Sequence, residues 1–415
     1  MQSKKSLNYK VVRLAAIGTL FALSQYITLP VMALYLNQFF HISIPMVGIL
    51  LGVPMIISSI FGRFASVVAR RLGNVNTLSA ALILYAFDYL GYTLFKHPDI
   101  IYLISLSIVA GLSRILWQPV FKGIYAQVAT ESSNADTIFR INYLTIVTGA
   151  SVGPVLVILL GGFQPVICIY STSFLYIFIS ILVLFNRNFF KSFELGTNIL
   201  NIDETQSDVQ NKRELSITLY LYIFGGFLIY CVFSEFESVF PLALKFVTYR
   251  PASLFSELLI LNSICGFVFQ SLMIFSKRKP RDSQGLFIGN LAFCIAFLTF
   301  AISLRIHIIL VVGTIIFTIG EIFALPGSDI AINRLAPNGQ KAAFFGLAEF
   351  RILGFTVGPA LFGYLLYQFG YVEMFLFSIP FIVLASLSYW YGYRILKRYL
   401  RTDRTDLSQS IITER

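Results

Sequence analysis

The chain predicts an all-α membrane protein: twelve transmembrane helices in two six-helix bundles of related sequence. Three observations predict it. The 415 residues are 57% hydrophobic and only 12% charged, more apolar surface than a soluble chain of this length buries. Twelve apolar runs each reach the ~20 residues that a spanning helix needs. The halves also echo one another. When Pro119 is laid on Pro326, Arg114 falls on Glu321 and Lys122 on Asp329, so opposite charges stand at matched depths.

The first six runs are 11–37, 43–69, 75–95, 100–129, 137–161 and 164–186; the second six are 216–246, 251–276, 283–304, 307–335, 341–369 and 371–396. This divides the chain into an N-terminal bundle (1–186), a polar linker (187–215), a C-terminal bundle (216–396) and a tail (397–415). The linker carries both charge signs without an apolar period and reads as flexible. The basic N-terminus runs into the first span without a small-residue cleavage site, so that span reads as a retained helix. Prolines recur late in spans 1 and 7 (Pro30, Pro241), and GASVGP (Gly149–Pro154) in span 5 returns as GFTVGP (Gly354–Pro359) in span 11.

The basic residues fall mostly on one side. Lys4, Lys5, Lys10, Arg13, Arg70, Arg71, Arg140, Arg187, Lys191, Lys212, Arg213, Lys277, Arg278, Lys279, Arg281, Arg334 and Lys341 share it with the tail from Arg394. The other side has Lys96, Lys245, Arg250 and Arg305. The positive-inside rule then makes both termini and the linker cytoplasmic. This placement accounts for the net charge of +11, and the acidic centre of the linker argues against nucleic-acid binding. Cys168, Cys231, Cys265 and Cys294 lie in apolar spans without a CxxC pattern, which argues against metal sites and disulfides. His41, His97 and His307 are far apart, with no nucleophile or ligand spacing. No Gly-Lys-Ser/Thr phosphate loop is present, which argues against ATP-driven transport. Neither an enzyme nor a cofactor is expected.

The repeated Gly-Pro motifs bring a resemblance. The chain resembles a major facilitator superfamily transporter of the twelve-helix drug:proton antiporter branch. GASVGP resembles that branch's fifth-helix motif, usually written GxxxGPxxGG, with the trailing glycines displaced to Gly161 and Gly162. GFTVGPALFG (to Gly363) is its second copy, and FTIGEIFALP in span 10 also matches. Two departures stand out. In the gating loop between spans 2 and 3, ARRLGN (Ala69–Asn74), Arg70 replaces the usual Asp and Asn74 the usual Arg, around Arg71 and Gly73. In span 4 the basic residue, Arg114, follows Gly111 where the family usually has it precede the glycine.

The resemblance implies that spans 1, 4, 7 and 10 line a central cavity. They offer Ser24, Gln25 and Tyr26; Arg114, Gln118 and Lys122; Glu235 and Glu237; and Glu321 and Asp329. Charged groups inside a membrane are costly, ~2.5–3.5 kcal/mol at a helix centre on insertion scales, and so are functional candidates by default. Arg114 and Glu321 are expected either as a midplane ion pair or as two poles for a substrate, against a reading as a packing pair. Glu235 and Glu237 stand about 200° apart around the helix, so only one faces the cavity; Glu235 is taken as the proton carrier. Asp88 sits among Tyr85, Tyr89 and Tyr92, and a hydrogen bond to a Tyr or to span 2 is expected. Glu349 and Arg351 read as a gate or structural pair with spans 2 or 10, and Arg63 as a side chain reaching the inner surface. Tyr26, Trp117 and Phe236 are aromatic groups near the cavity. Gly149, Gly153, Pro154, Gly354, Gly358 and Pro359 read as hinge and close-packing sites.

The expected function is proton-coupled export of small, drug-like or amphipathic molecules by alternating access, giving multidrug resistance. The alternative is a dedicated exporter of one metabolite, such as a siderophore or sugar-like compound. The expected partners are substrate, protons and lipid. A monomer in the bacterial inner membrane is expected.

Overall fold

The computed structural model describes residues 2–96, 98–132, 135–159, 165–193, 206–276, 282–303, 306–337 and 339–413. Gly161, Gly162, His97, Arg305, the basic run Lys277–Arg281 and the centre of the linker lie outside the described residues. Regular structure among the described residues is helical. In order it comprises α1 (Gln2–Leu34), α2 (Ile44–Phe61), α3 (Phe64–Gly91), α4 (Ile100–Thr130), α5 (Ala135–Leu159), α6 (Pro165–Phe185), α7 (Gln206–Ser238), α8 (Pro251–Phe275), α9 (Asp282–Ile302) and α10 (His307–Leu335). α11 is compound: Lys341–Ala348, a 3-10 stretch Glu349–Leu353, then Gly354–Phe369. α12 is Tyr371–Thr413.

Helices suit these runs because a bilayer offers no hydrogen bonds, so each backbone group must be satisfied within its own segment. Large apolar side chains face outward without penalty: Phe174 is 68% exposed and Phe275 84%. Among the described residues nine helices are long and apolar enough to cross a membrane, ten if the bent pair α2–α3 counts as one. α5 is as long as α8 but carries Asp136, Arg140, Asn142 and Thr145, which lower its hydropathy. The bend in the α2–α3 pair has two parts. Gly62 and Arg63 interrupt the helix, and Gly73, at φ 79°, turns the chain back. That conformation is open to glycine and strained for most other residues. The expected break, between 69 and 75, brackets this second point.

Several boundaries differ from expectation. α7 begins at Gln206, inside the expected flexible linker, and a short helix, Arg187–Lys191, follows α6. α12 continues through the expected tail to Thr413. Long charged and amide side chains are good helix formers in water, so polarity alone does not end a helix that the membrane has already nucleated. Span 7 stops at Ser238, earlier than the expected 246. Pro241 starts a separate short turn, Phe240–Ala243, with Leu244–Phe246 after it.

The Gly-Pro motifs pack rather than line a cavity. A Cβ on Gly149 would strike Ala22, and one on Gly153 would sit 2.7 Å from the Tyr26 Cβ, so α5 lies directly on α1. In the second half a Cβ on Gly354 would be 2.6 Å from the Cys231 nitrogen, and one on Gly358 would strike Ser234 and Cys231, so α11 lies on α7. The repeat in sequence is thus a repeat in contact. Pro154 and Pro359 lie inside their helices without ending them. Each bundle also has an aromatic core. Trp117 stacks between Phe21 and Phe121, at 4.4 and 4.5 Å, and Phe236 stacks on Phe317 at 4.2 Å. Both Trp117 and Phe236 are buried and pack inside their own bundles, where an aromatic ring contributes most.

Candidate functional site between the two bundles

The bundles meet along two related seams. One joins α5 to α8 and α10. Asp136, Arg140, Tyr143 and Val147 follow helical spacing and present one face of α5 to the other bundle. Arg334 bonds Asp136 at 3.0 Å. Arg140, which is buried, donates to the Ile322 carbonyl at 3.3 Å. Gln270 donates to the Arg140 carbonyl at 2.9 Å. The Tyr143 hydroxyl donates to Glu321 Oε1 at 2.5 Å. The second seam joins α2 to α11: Ser59 donates to the Glu349 carbonyl at 3.0 Å, and Gly62 and Gly346 touch backbone to backbone. The α2–α3 pair thus meets the other bundle at Gly62, ahead of the expected gating loop with Arg70, Arg71 and Gly73. These contacts run from mid-span to the end that carries both chain termini.

Between the seams lies a buried charge cluster. Arg114 and Lys122 on α4 face Asp329 on α10 and Glu349 and Arg351 on α11. Arg114 is 3.7 Å from Glu349 and also donates to Ser58 Oγ at 3.2 Å. Lys122 lies 3.3 Å from Asp329 and 3.9 Å from Glu349. Arg351 bonds Asp329 at 2.8 Å, Ser328 at 2.5 Å and the Ala348 carbonyl at 2.8 Å. Arg351 and Glu349 are fully buried, where an unpaired charge would be very costly.

The expected Arg114–Glu321 ion pair is not formed. Arg114 takes Glu349, which the 3-10 stretch of α11 holds against α2, while Glu321 is already held by Tyr143 and by Asn262 Nδ2 at 2.9 Å. Lys122 and Asp329, aligned through the repeat, do meet. The expected pairing with span 2 or 10 is found for Arg351, which takes Asp329 of α10; the Glu349 carboxylate instead takes Arg114 and Lys122 of α4, and only its backbone carbonyl meets span 2, at Ser59.

Glu235 and Glu237 do part, but in the opposite sense to that expected. Glu235 is fully buried against α12, where Ser378 donates to Oε2 at 2.5 Å and Oε1 has no partner. Glu237 is the exposed one. The aromatic core claims the faces on either side of Glu235, so its side chain turns to α12 and not to the cavity. Tyr26 is half-buried and within electrostatic reach of Glu237, Glu321 and Arg114. Gln25 and Gln118 are half-buried as well, while Ser24 is buried and bonds the Leu20 carbonyl at 2.9 Å. Asp88 is buried with Oδ1 unpartnered among the tyrosines. Arg63 is exposed, as expected, with its guanidinium 5.1 Å from the Phe64 ring.

Three contributors were missed from sequence: Tyr143, Arg140 and Asn262. Arg140 read as one of the cytoplasmic-side charges because it lies near the start of the fifth run, 137–161. The i, i+4, i+7 spacing of Asp136, Arg140 and Tyr143 was the available signal.

Two bundles of membrane-spanning helices joined across a polar, charged interface are the architecture of a two-bundle membrane transporter. The sequence comparison agrees: the family model for the Major Facilitator Superfamily matches residues 14–350. The chain belongs to that superfamily. It is 22% identical over 406 residues to the uncharacterized MFS-type transporter YqjV of Bacillus subtilis (strain 168), covering 95% of this chain and 96% of that one. It is 23% identical over 374 residues to the uncharacterized MFS-type transporter YdeE of Escherichia coli (strain K12), covering 87% and 90%. Its fold is similar to a bacterial homologue of the iron transporter ferroportin in its outward-facing state, with a TM-score of 0.74 and 12% identity over 93% of this chain and 99% of that one. It is also similar to the proton:xylose symporter XylE, with a TM-score of 0.71 and 14% identity over 92% and 96%.

Proposed function

We propose that the protein is a proton-coupled exporter of small amphipathic organic molecules, working by alternating access in a bacterial cytoplasmic membrane. The observation that carries this reading is Glu321. It lies mid-span and half-buried, and it accepts a hydrogen bond from Tyr143 of the other bundle. A bond to an ionised carboxylate is roughly twice as strong as one between neutral groups. Protonating Glu321 therefore weakens the mid-span contact of a seam that holds the bundles together from there to the terminus-bearing end. With the basic loops inside, that end is cytoplasmic and this conformation is shut to the cytoplasm. A proton taken from outside then favours opening inward, where the proton leaves and substrate enters.

Substrate chemistry follows from what is left unpaired. Arg114, Lys122 and Arg351 are engaged by Asp329 and Glu349, whereas Glu237 is exposed near Tyr26. Acidic groups beside an aromatic ring suit cationic or amphipathic compounds. A second reading, a dedicated exporter of one carboxylate-bearing metabolite, is favoured by the surplus of cations over carboxylates in the buried cluster.

The test is solute-induced proton release from purified protein. Lipophilic cations are expected to release protons from wild type and from Glu235→Gln but not from Glu321→Gln. Release that persists in Glu321→Gln removes the coupling assignment. Release driven only by carboxylate solutes moves the conclusion to the metabolite exporter.

A further inference from the structure

A cavity of about 480 Å³ opens on the terminus-bearing end of the first bundle, away from the seams. It is lined by Arg70, Arg71, Arg187 and Lys191, with Leu72 and Leu184 at its edge. All four cations are exposed. Among the described residues no carboxylate lies within ion-pair distance of them. Four exposed cations around one opening raise the local positive potential and attract an anion.

The walls of the cavity are fixed. Gly73 turns the chain so that Arg70 and Arg71 precede the reversal and Asn76 follows it. The buried Asn74 donates to the Phe193 carbonyl at 2.9 Å, tying α3 to the segment after α6. Phe190 and Phe193 are buried and anchor the short helix Arg187–Lys191, which carries two of the cations on its exposed side. The rim is apolar and outward-facing: Leu72 is 51% exposed, Leu184 46% and Phe185 83%. α6 ends at Phe185, so this rim is where apolar span gives way to polar helix. Cations stand just beyond an apolar belt, as phosphate stands just beyond acyl chains.

We propose that this cavity holds the phosphate of an anionic phospholipid headgroup, with the acyl chains lying along Leu72, Leu184 and Phe185. The apolar rim is the reason to choose a lipid over a soluble phosphate compound, which would gain nothing from it. Juxtamembrane cations each contribute about 1 kcal/mol toward anionic lipid, or about fivefold in affinity.

The test is native mass spectrometry of the full-length protein in detergent, titrated with phosphatidylglycerol, phosphatidylcholine and inorganic phosphate. Wild type is expected to bind phosphatidylglycerol at least tenfold more tightly than phosphatidylcholine. The variant with Arg70→Gln, Arg71→Gln, Arg187→Gln and Lys191→Gln loses that preference, while single Arg70→Gln and Arg187→Gln variants each lose about fivefold and Arg70→Lys retains binding. The four side chains are exposed, so the melting temperature of the quadruple variant stays close to wild type. Equal binding of the two lipids by wild type, or an undiminished preference in the quadruple variant, overturns the proposal. Displacement of phosphatidylglycerol by an equal concentration of inorganic phosphate also overturns it and assigns the site to a soluble phosphate source.

Discussion

The charge cluster makes an asymmetric prediction. Asp329 is the shared acceptor of Lys122 and Arg351, at 3.3 and 2.8 Å, whereas Lys122 is a second cation for two carboxylates that each keep an arginine. Asp329→Asn leaves Arg351, which is fully buried, without its carboxylate. Removing one partner of a buried pair costs about 3–5 kcal/mol. The Lys122 and Asp329 side chains retain 9% and 12% exposure, so the low end, about 3 kcal/mol, applies. Without Asp329 between them, Lys122 of one bundle and Arg351 of the other face each other as bare cations, so much of that cost falls on the conformation joined at the terminus-bearing end. A shift of about 3 kcal/mol changes its population ratio by roughly 100-fold. Lys122→Gln, by contrast, leaves Arg351 on Asp329 and Arg114 on Glu349, and is expected to cost about 1 kcal/mol. The assay is pulsed electron–electron resonance with spin labels at Leu94 and Tyr249, which are 70% and 106% exposed on the opposite end of the two bundles. Asp329→Asn should enlarge the population in which these labels approach, and Lys122→Gln should leave it nearly as in wild type. Equal shifts in both variants, or a larger one in Lys122→Gln, would refute the shared-acceptor argument.

Three further outcomes follow from other contacts. Gly358→Ala is expected to lower stability by about 1–3 kcal/mol through overpacking against Ser234 and Cys231, whereas Gly363→Ala, with nothing within 4 Å of the added carbon, should be neutral; thermal unfolding in detergent compares them. Tyr143→Phe removes the donor to Glu321, a bond worth about 1.5–3 kcal/mol, and should reduce solute-induced proton release while leaving the melting temperature less affected than Gly358→Ala does. Ser378→Ala takes away the hydrogen bond to the buried Glu235. It should cost about 1–3 kcal/mol of stability without changing proton coupling, and equal loss of coupling would return Glu235 to the transport site.

The sequence by itself determined the helical membrane fold and the repeat, because both rest on local quantities. A run of apolar residues long enough to cross lipid becomes a helix whatever lies beside it. The duplicated Gly-Pro motif specified close approach, since the absence of a side chain at Gly149, Gly153, Gly354 and Gly358 is itself what the contact requires. The alignment of Lys122 with Asp329 also marked two groups that meet. Tertiary structure alone decided the remaining charge pairs. Arg114 and Glu321 share a depth, but depth fixes only one coordinate. The rotation of α4, the 3-10 stretch of α11 and the reach of Tyr143 and Asn262 set the other two, and they give Arg114 to Glu349 and leave Glu321 at the seam. The choice between Glu235 and Glu237 was settled in the same way. Helical geometry required them to point apart, and only the packing of α7 against α12 and the phenylalanine core determined which one was buried.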